Sequence, residues 1–275
     1  MNIKTIVKMA AVGALALTAA DDALAECAGQ SLRAKIAKAH RIVGEDMWQG
    51  FRRTKFDFDG RGAWIVEPSA APAEGRPWTW TMQWAEAFVD RTGVPELLKR
   101  GFHHVTIELF DTRMDEKGLA AAAVFQKFLV EELGLAPKAN LIGMSWGGFF
   151  STRYAAAYPQ NVRKIYYDAP LMNFDGFGMD IGPWAARRPA NGTWSDDPEM
   201  PVNMAAKVAA AKIPVLLLYG GADGVVPPAK NCELFIPRFK AAGGDIQIEK
   251  RALFGHHPHG LDPDKTSRIV NFFRK

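Results

Sequence analysis

The sequence has 275 residues, 48% of them hydrophobic and 23% charged, a composition that excludes a disordered, collagen-like or disulfide-dense chain and suffices for one large domain with a substantial core. Its 34 Lys and Arg against 30 Asp and Glu leave a formal charge of +4. The two signs interleave without a basic stripe, so nucleic acid is not an expected partner.

In chain order, Lys4 and Lys8 precede an apolar run over 9–20, and Ala23-Leu24-Ala25 supplies small residues around a cleavage point. This pattern reads as a bacterial-type secretory leader over 1–25, giving a periplasmic or secreted protein. The run is shorter than the roughly 20 residues that a membrane-spanning helix needs, and no membrane span is expected. Cys27 follows Glu26 where a lipoprotein signal requires a small residue, which argues against a lipid anchor. Cys27 and Cys232 are the only two cysteines; an oxidising compartment permits a bridge or two separate thiols, and their spacing offers no metal site.

A helix is expected over 31–44. Strands over 55–58 and 63–67 are joined through Asp59-Gly60-Arg61-Gly62, a turn that predicts an antiparallel pair. After a loop over 68–77 come a short buried strand over 78–81, a helix over 84–91 and a β-rich run over 102–109. The helix over 119–133 is closed by Gly134 and Pro137. A strand over 139–143, a helix over 146–158 that stops before Pro159, and a strand over 162–168 follow. The stretch 170–212, rich in Gly, Pro, Trp and Met, is longer than most connections and reads as a cap over the sheet. Strands over 215–219 and 246–250 and a helix over 264–274 complete the order. Strands alternating with helices predict an α/β class with a mostly parallel central sheet flanked by helices.

The most specific signal is Gly143-Met144-Ser145-Trp146-Gly147-Gly148, placed after one strand and before one helix. Gly-x-Ser-x-Gly in that context matches a nucleophile elbow, whose glycines make room for a strained serine and a close strand–helix crossing. With this motif the chain resembles the α/β-hydrolase family over essentially all of its length after the leader. The resemblance implies a nucleophile, an acid and a histidine in that chain order, with Ser145 as nucleophile.

The loop Gly220-Gly221-Ala222-Asp223-Gly224-Val225-Val226-Pro227 looks like the family's acid-bearing loop, which assigns the acid to Asp223. Asp168 is its rival, because some members place the acid one strand earlier. Phe254-Gly255-His256-His257-Pro258-His259-Gly260 stands where the family carries its base; His256, directly after a glycine, is preferred, with His257 and His259 as alternatives. The three types suit the chemistry. A serine hydroxyl needs a base during attack, imidazole with a pKa near 6.5 serves at neutral pH, and the carboxylate fixes its tautomer.

Two oxyanion donors are also required. The backbone N–H of Trp146 is one. The second comes from the loop after the family's third strand, where the common His-Gly is absent; it is assigned to Trp80, with Thr81 next. Imidazole also binds zinc, but the serine constellation accounts for the histidines, so no metal and no cofactor is expected. His103 and His104 read as structural, and most tryptophans as packing.

The resulting expectation is hydrolysis of a carboxylic ester through an acyl-enzyme, the substrate a small-molecule or oligosaccharide ester. An exported peptidase of the same fold, or a non-catalytic binding protein that keeps the fold, are the alternatives.

Overall fold

A computed structural model describes residues 32–275; the expected leader and Cys27 lie outside them. Helix α1 covers 32–39, and the chain then enters strand β1 (Arg41–Trp48), so the helix expected over 31–44 is shorter than its sequence pattern. Ile42 and Val43, β-branched and followed by Gly44, favour extended backbone. Strands β2 (Phe51–Phe58) and β3 (Arg61–Val66) follow. The two hairpins turn at Gln49-Gly50 and Asp59-Gly60, all four residues with positive φ, as tight two-residue hairpin turns demand.

Strand β4 (Trp78–Thr81) occupies the expected residues. The expected helix over 84–91 does not form: Trp84 and Phe88 adopt φ of 64° and 53°, and only Val89–Arg91 makes a 3₁₀ turn. Helicity begins instead after Gly93, with Pro in its first turn, as α2 (Val94–Lys99). There follow β5 (His103–Ile107), α3 (Glu116–Glu131), β6 (Ala139–Met144), α4 (Trp146–Ala157) and β7 (Val162–Asp168). Within 170–212, the residues up to Asp197 hold only short 3₁₀ turns, whereas α5 (Pro201–Ala210) packs against α4 and the later α6 (Cys232–Ala241) as a flanking helix. Strands β8 (Val215–Gly220) and β9 (Ile246–Arg251) and helix α7 (Ser267–Arg274) end the chain.

The described strands form one nine-stranded sheet in the order β1-β2-β3-β5-β4-β6-β7-β8-β9. Pairings from β1 to β5 are antiparallel and those from β5 through β4 to β9 are parallel. Neighbouring residues of the central strands serve opposite cores, since side chains alternate across a sheet. Leu141, Tyr167 and Leu217 join the core of α1 and α3 to α6; Ile142, Tyr166 and Leu218 join that of α2 and α7. Both faces are therefore covered, as a parallel sheet requires. Cys232 is buried at the start of α6. Among the described residues no helix is long and apolar enough to cross a membrane.

Candidate active site

The carboxyl ends of β4, β6, β7 and β8 converge, and the polar residues of interest sit just beyond them. Ser145 lies between β6 and α4 with φ 50° and ψ −120°, a conformation that a non-glycine residue adopts only when its surroundings impose it. Those surroundings are explicit. Ser145 N–H donates to Asp168 O (3.0 Å), while Ser145 O accepts from Gly148 N–H and Leu171 N–H, each at 2.8 Å. At Gly148 a Cβ would lie 2.2 Å from Pro170 Cβ, so only glycine lets α4 start this close to the segment after β7.

Ser145 Oγ is 3.1 Å from His256 Nε2, and His256 Nδ1 is 2.7 Å from Asp223 Oδ2. Asp223 stands just beyond β8, and the close approach of that strand end to the histidine loop depends on Gly220, where a Cβ would lie 2.2 Å from both Phe254 O and Gly255 O. The other carboxylate oxygen of Asp223 accepts from Val225 N–H (2.9 Å) and Val226 N–H (2.8 Å). Burial pushes the Asp223 carboxyl up, but the hydrogen bonds from His256 and from the Val226 and Val225 amides outweigh it and hold the group below the ordinary aspartate value. An ionised carboxylate only accepts, so His256 carries its proton on Nδ1 and turns the Nε2 lone pair toward the serine hydroxyl.

The three histidines expected as rivals have separate places. His259 Nδ1 is 2.8 Å from Asp168 Oδ1, and both residues are buried. Asp168 also accepts from Gly260 N–H (2.8 Å) and Tyr166 Oη–H (2.6 Å). The rival acid thus anchors the loop that carries His256, without touching His256 itself. His257 is exposed and stacks on Phe88 at 5.6 Å. Burial first, then the neighbouring His259 and His256, lower its pKa. His103 and His104 are buried at the start of β5; burial brings each to a pKa of about 3, so both are neutral packing residues.

Trp146 is the first residue of α4, and its N–H is one of the four that a helix leaves without an internal partner. The expectation for Trp80 is corrected. Trp80 sits within β4, paired to Val105 on one side and Leu141 on the other, so its amide belongs to the sheet ladder and its indole to the core. Thr81 pairs with Ile142, and Met82 N–H is taken by Ile142 O at 3.1 Å. The next amide is that of Gln83: its nitrogen would lie 3.5 Å from a Cβ at Gly147, over the first turn of α4. Gln83, two residues past the end of β4, is a candidate for the second donor that the sequence reading did not name.

Beside Gln83 opens a cavity of about 640 Å³, mostly apolar, lined by Trp64, Gln83, Trp84, Ala85, Thr106 and Ile107 among others. A primed hydroxyl, a base, an acid and two amides at one strand edge can add a nucleophile to a carbonyl and stabilise the resulting oxyanion.

A family model described as alpha/beta hydrolase fold matches residues 94–193. Among curated proteins the chain has no match. Among solved structures it is similar to acylaminoacyl peptidase of Pyrococcus horikoshii, with a TM-score of 0.58 at 14% identity over 86% of this chain and 48% of that one. It is similar to dipeptidyl peptidase 4 of Porphyromonas gingivalis, with a TM-score of 0.59 at 15% identity over 86% of this chain and 36% of that one. It is also similar to an S-formylglutathione hydrolase of Agrobacterium tumefaciens, with a TM-score of 0.57 at 14% identity over 85% of this chain and 95% of that one. The chain thus spans half or less of these peptidases' length. With its mixed nine-stranded sheet flanked by helices and these likenesses, the chain has the α/β-hydrolase fold.

Proposed function

We propose that the protein is a serine hydrolase that cleaves a carboxylic ester through an acyl-enzyme. The observation that carries this reading is the continuous hydrogen-bonded chain from Ser145 Oγ through His256 to Asp223, at 3.1 and 2.7 Å. Ser145 Oγ attacks the ester carbonyl as His256 Nε2 takes its proton. The tetrahedral oxyanion is held by the N–H groups of Trp146 and Gln83, each worth roughly 3 kcal/mol in the transition state. His256 then gives the proton to the leaving alkoxide, and a water activated by the same imidazole releases the acid. Asp223 stays ionised throughout, orienting the imidazole and stabilising it when charged.

The mostly apolar cavity reaches the loop after β4 at Gln83 and is lined by none of Ser145, Asp223 and His256; it is a candidate subsite for an apolar group of the ester remote from the reacting carbonyl. The leader pattern over 1–25 supports an activity outside the cytoplasm. Turnover of p-nitrophenyl acetate compared with aminoacyl p-nitroanilides tests the reading: the ester is expected to be the faster substrate, and turnover of the anilide alone would overturn it.

A further inference from the structure

Only one of the three histidines in the 256–259 loop is needed for the proposed reaction, yet all three converge. The ring centroids of His256, His257 and His259 form a nearly equilateral triangle, 4.8, 4.8 and 4.9 Å on its sides. One nitrogen from each lies within 4.8 Å of the others. Two of the rings are also held as metal ligands are held. His256 Nδ1 faces Asp223 and His259 Nδ1 faces Asp168, at 2.7 and 2.8 Å. In metal sites a carboxylate on one imidazole nitrogen fixes the tautomer and raises the basicity of the other, and here that arrangement occurs twice side by side. The His259–Asp168 pair is the more telling, because nothing in the hydrolytic steps uses the free nitrogen of His259.

We propose that His256, His257 and His259 form a site for a borderline divalent cation such as Zn²⁺, which switches the hydrolase off by taking the lone pair of its base. Three imidazoles and an open fourth position are a donor set that zinc favours over the oxygen-seeking Mg²⁺ and Ca²⁺. Zn–N bonds of about 2.1 Å set tetrahedral ligand nitrogens about 3.4 Å apart. His257 is exposed and packs by ring contacts on Phe88, His256 and His259, so its side chain can turn toward the ion, and small rotations of the carboxylate-held His256 and His259 close the rest of the gap. The ion then occupies His256 Nε2, and Ser145 Oγ–H loses the acceptor that its attack requires. The cation binding stands on the cluster's own geometry; the switching rests on the hydrolase reading above.

The test uses the full chain freed of metal with a chelator, titrated with Zn²⁺ by calorimetry and assayed on p-nitrophenyl acetate in parallel. One Zn²⁺ per chain is expected, with inhibition that the chelator reverses. His257→Ala is expected to retain metal-free turnover, to bind Zn²⁺ at least about tenfold more weakly, and to need correspondingly more Zn²⁺ for inhibition. Asp168→Asn is expected to weaken Zn²⁺ about tenfold through His259. Absence of Zn²⁺ binding in the wild type, or equal binding in the wild type and His257→Ala, overturns the proposal. Binding that depends on His257 in a protein that hydrolyses no ester upholds the site and removes the hydrolase reading; ester turnover without Zn²⁺ binding does the reverse.

Discussion

His259 Nδ1 lies 2.8 Å from Asp168 Oδ1, so the acid at the end of β7 holds a histidine of its own, in the same loop as the histidine that Asp223 holds. Two carboxylates from adjacent strands thereby divide two tasks. Asp223 orients the imidazole that faces Ser145, and Asp168 ties down the loop on which that imidazole rides, aided by Arg91 Nε–H donating to His259 O at 2.8 Å.

The division predicts different failures. Asp223→Asn should lower kcat by about 10⁴-fold through the wrong tautomer of His256, with the fold intact. Asp168→Asn should leave kcat within about tenfold of wild type and instead destabilise the protein by roughly 1–3 kcal/mol, because buried donors lose a charged acceptor. Steady-state kinetics and thermal unfolding of both variants check this; equal losses of kcat would contradict it.

The second oxyanion donor proposed above is the backbone amide of Gln83, so side-chain truncation and amide removal should separate. Gln83→Ala should keep most activity. Gln83→Pro, which deletes the N–H, should lower kcat about 10²- to 10³-fold with a much smaller change in KM. Unfolding temperatures of the two variants distinguish loss of the donor from loss of structure.

Around the elbow, Gly147 and Gly148 should respond differently to a methyl group. At Gly148 the added Cβ meets Pro170 Cβ at 2.2 Å, and Gly148→Ala should cost about 1–3 kcal/mol of stability. At Gly147 the nearest atom is Gln83 N at 3.5 Å, an ordinary contact. Gly147→Ala should therefore fold and lose rate, by crowding the space beside the donors. Denaturant unfolding with parallel turnover measures both.

Glu67, at the end of β3, gives a pH signature. Burial, only partly offset by Arg52 and Arg76, raises its carboxyl from the usual 4.5 to about 7. Between those values the folded chain holds a proton that the unfolded chain has released, so the stability from this group is present in acid and is lost as pH rises through 7. Glu67→Gln should match wild type near pH 4 and exceed it by roughly 3 kcal/mol above pH 8. A stability difference independent of pH would refute the assignment.

Much of the fold was legible because its strongest signals are local. The strand over 78–81 and that over 162–168 have the expected bounds, and Gly143 to Gly148 stand at the strand-to-helix turn their pattern implies. The misses share a cause in tertiary context. Residues 84–91 have helical spacing, yet Trp84 packs on Phe110 and Phe88 on the histidine loop, both with positive φ, conformations that no periodicity reveals. Strand β1 is an edge strand of mixed polarity that its pairing with β2 defines. Motif and chain order pointed to the grouping of Ser145, Asp223 and His256, whose side chains the fold brings into one hydrogen-bonded chain. No signal in the sequence marks Gln83, since side-chain type is irrelevant to a candidate amide donor, or the pairing of Asp168 with His259, which joins residues 91 positions apart.

The most direct test of the account is covalent. A fluorophosphonate probe on the folded wild-type chain, followed by intact-mass and peptide analysis, should give one adduct per chain at Ser145, and Ser145→Ala should lose both adduct and ester turnover. An unmodified Ser145 in folded protein, or undiminished turnover in Ser145→Ala, would contradict the account.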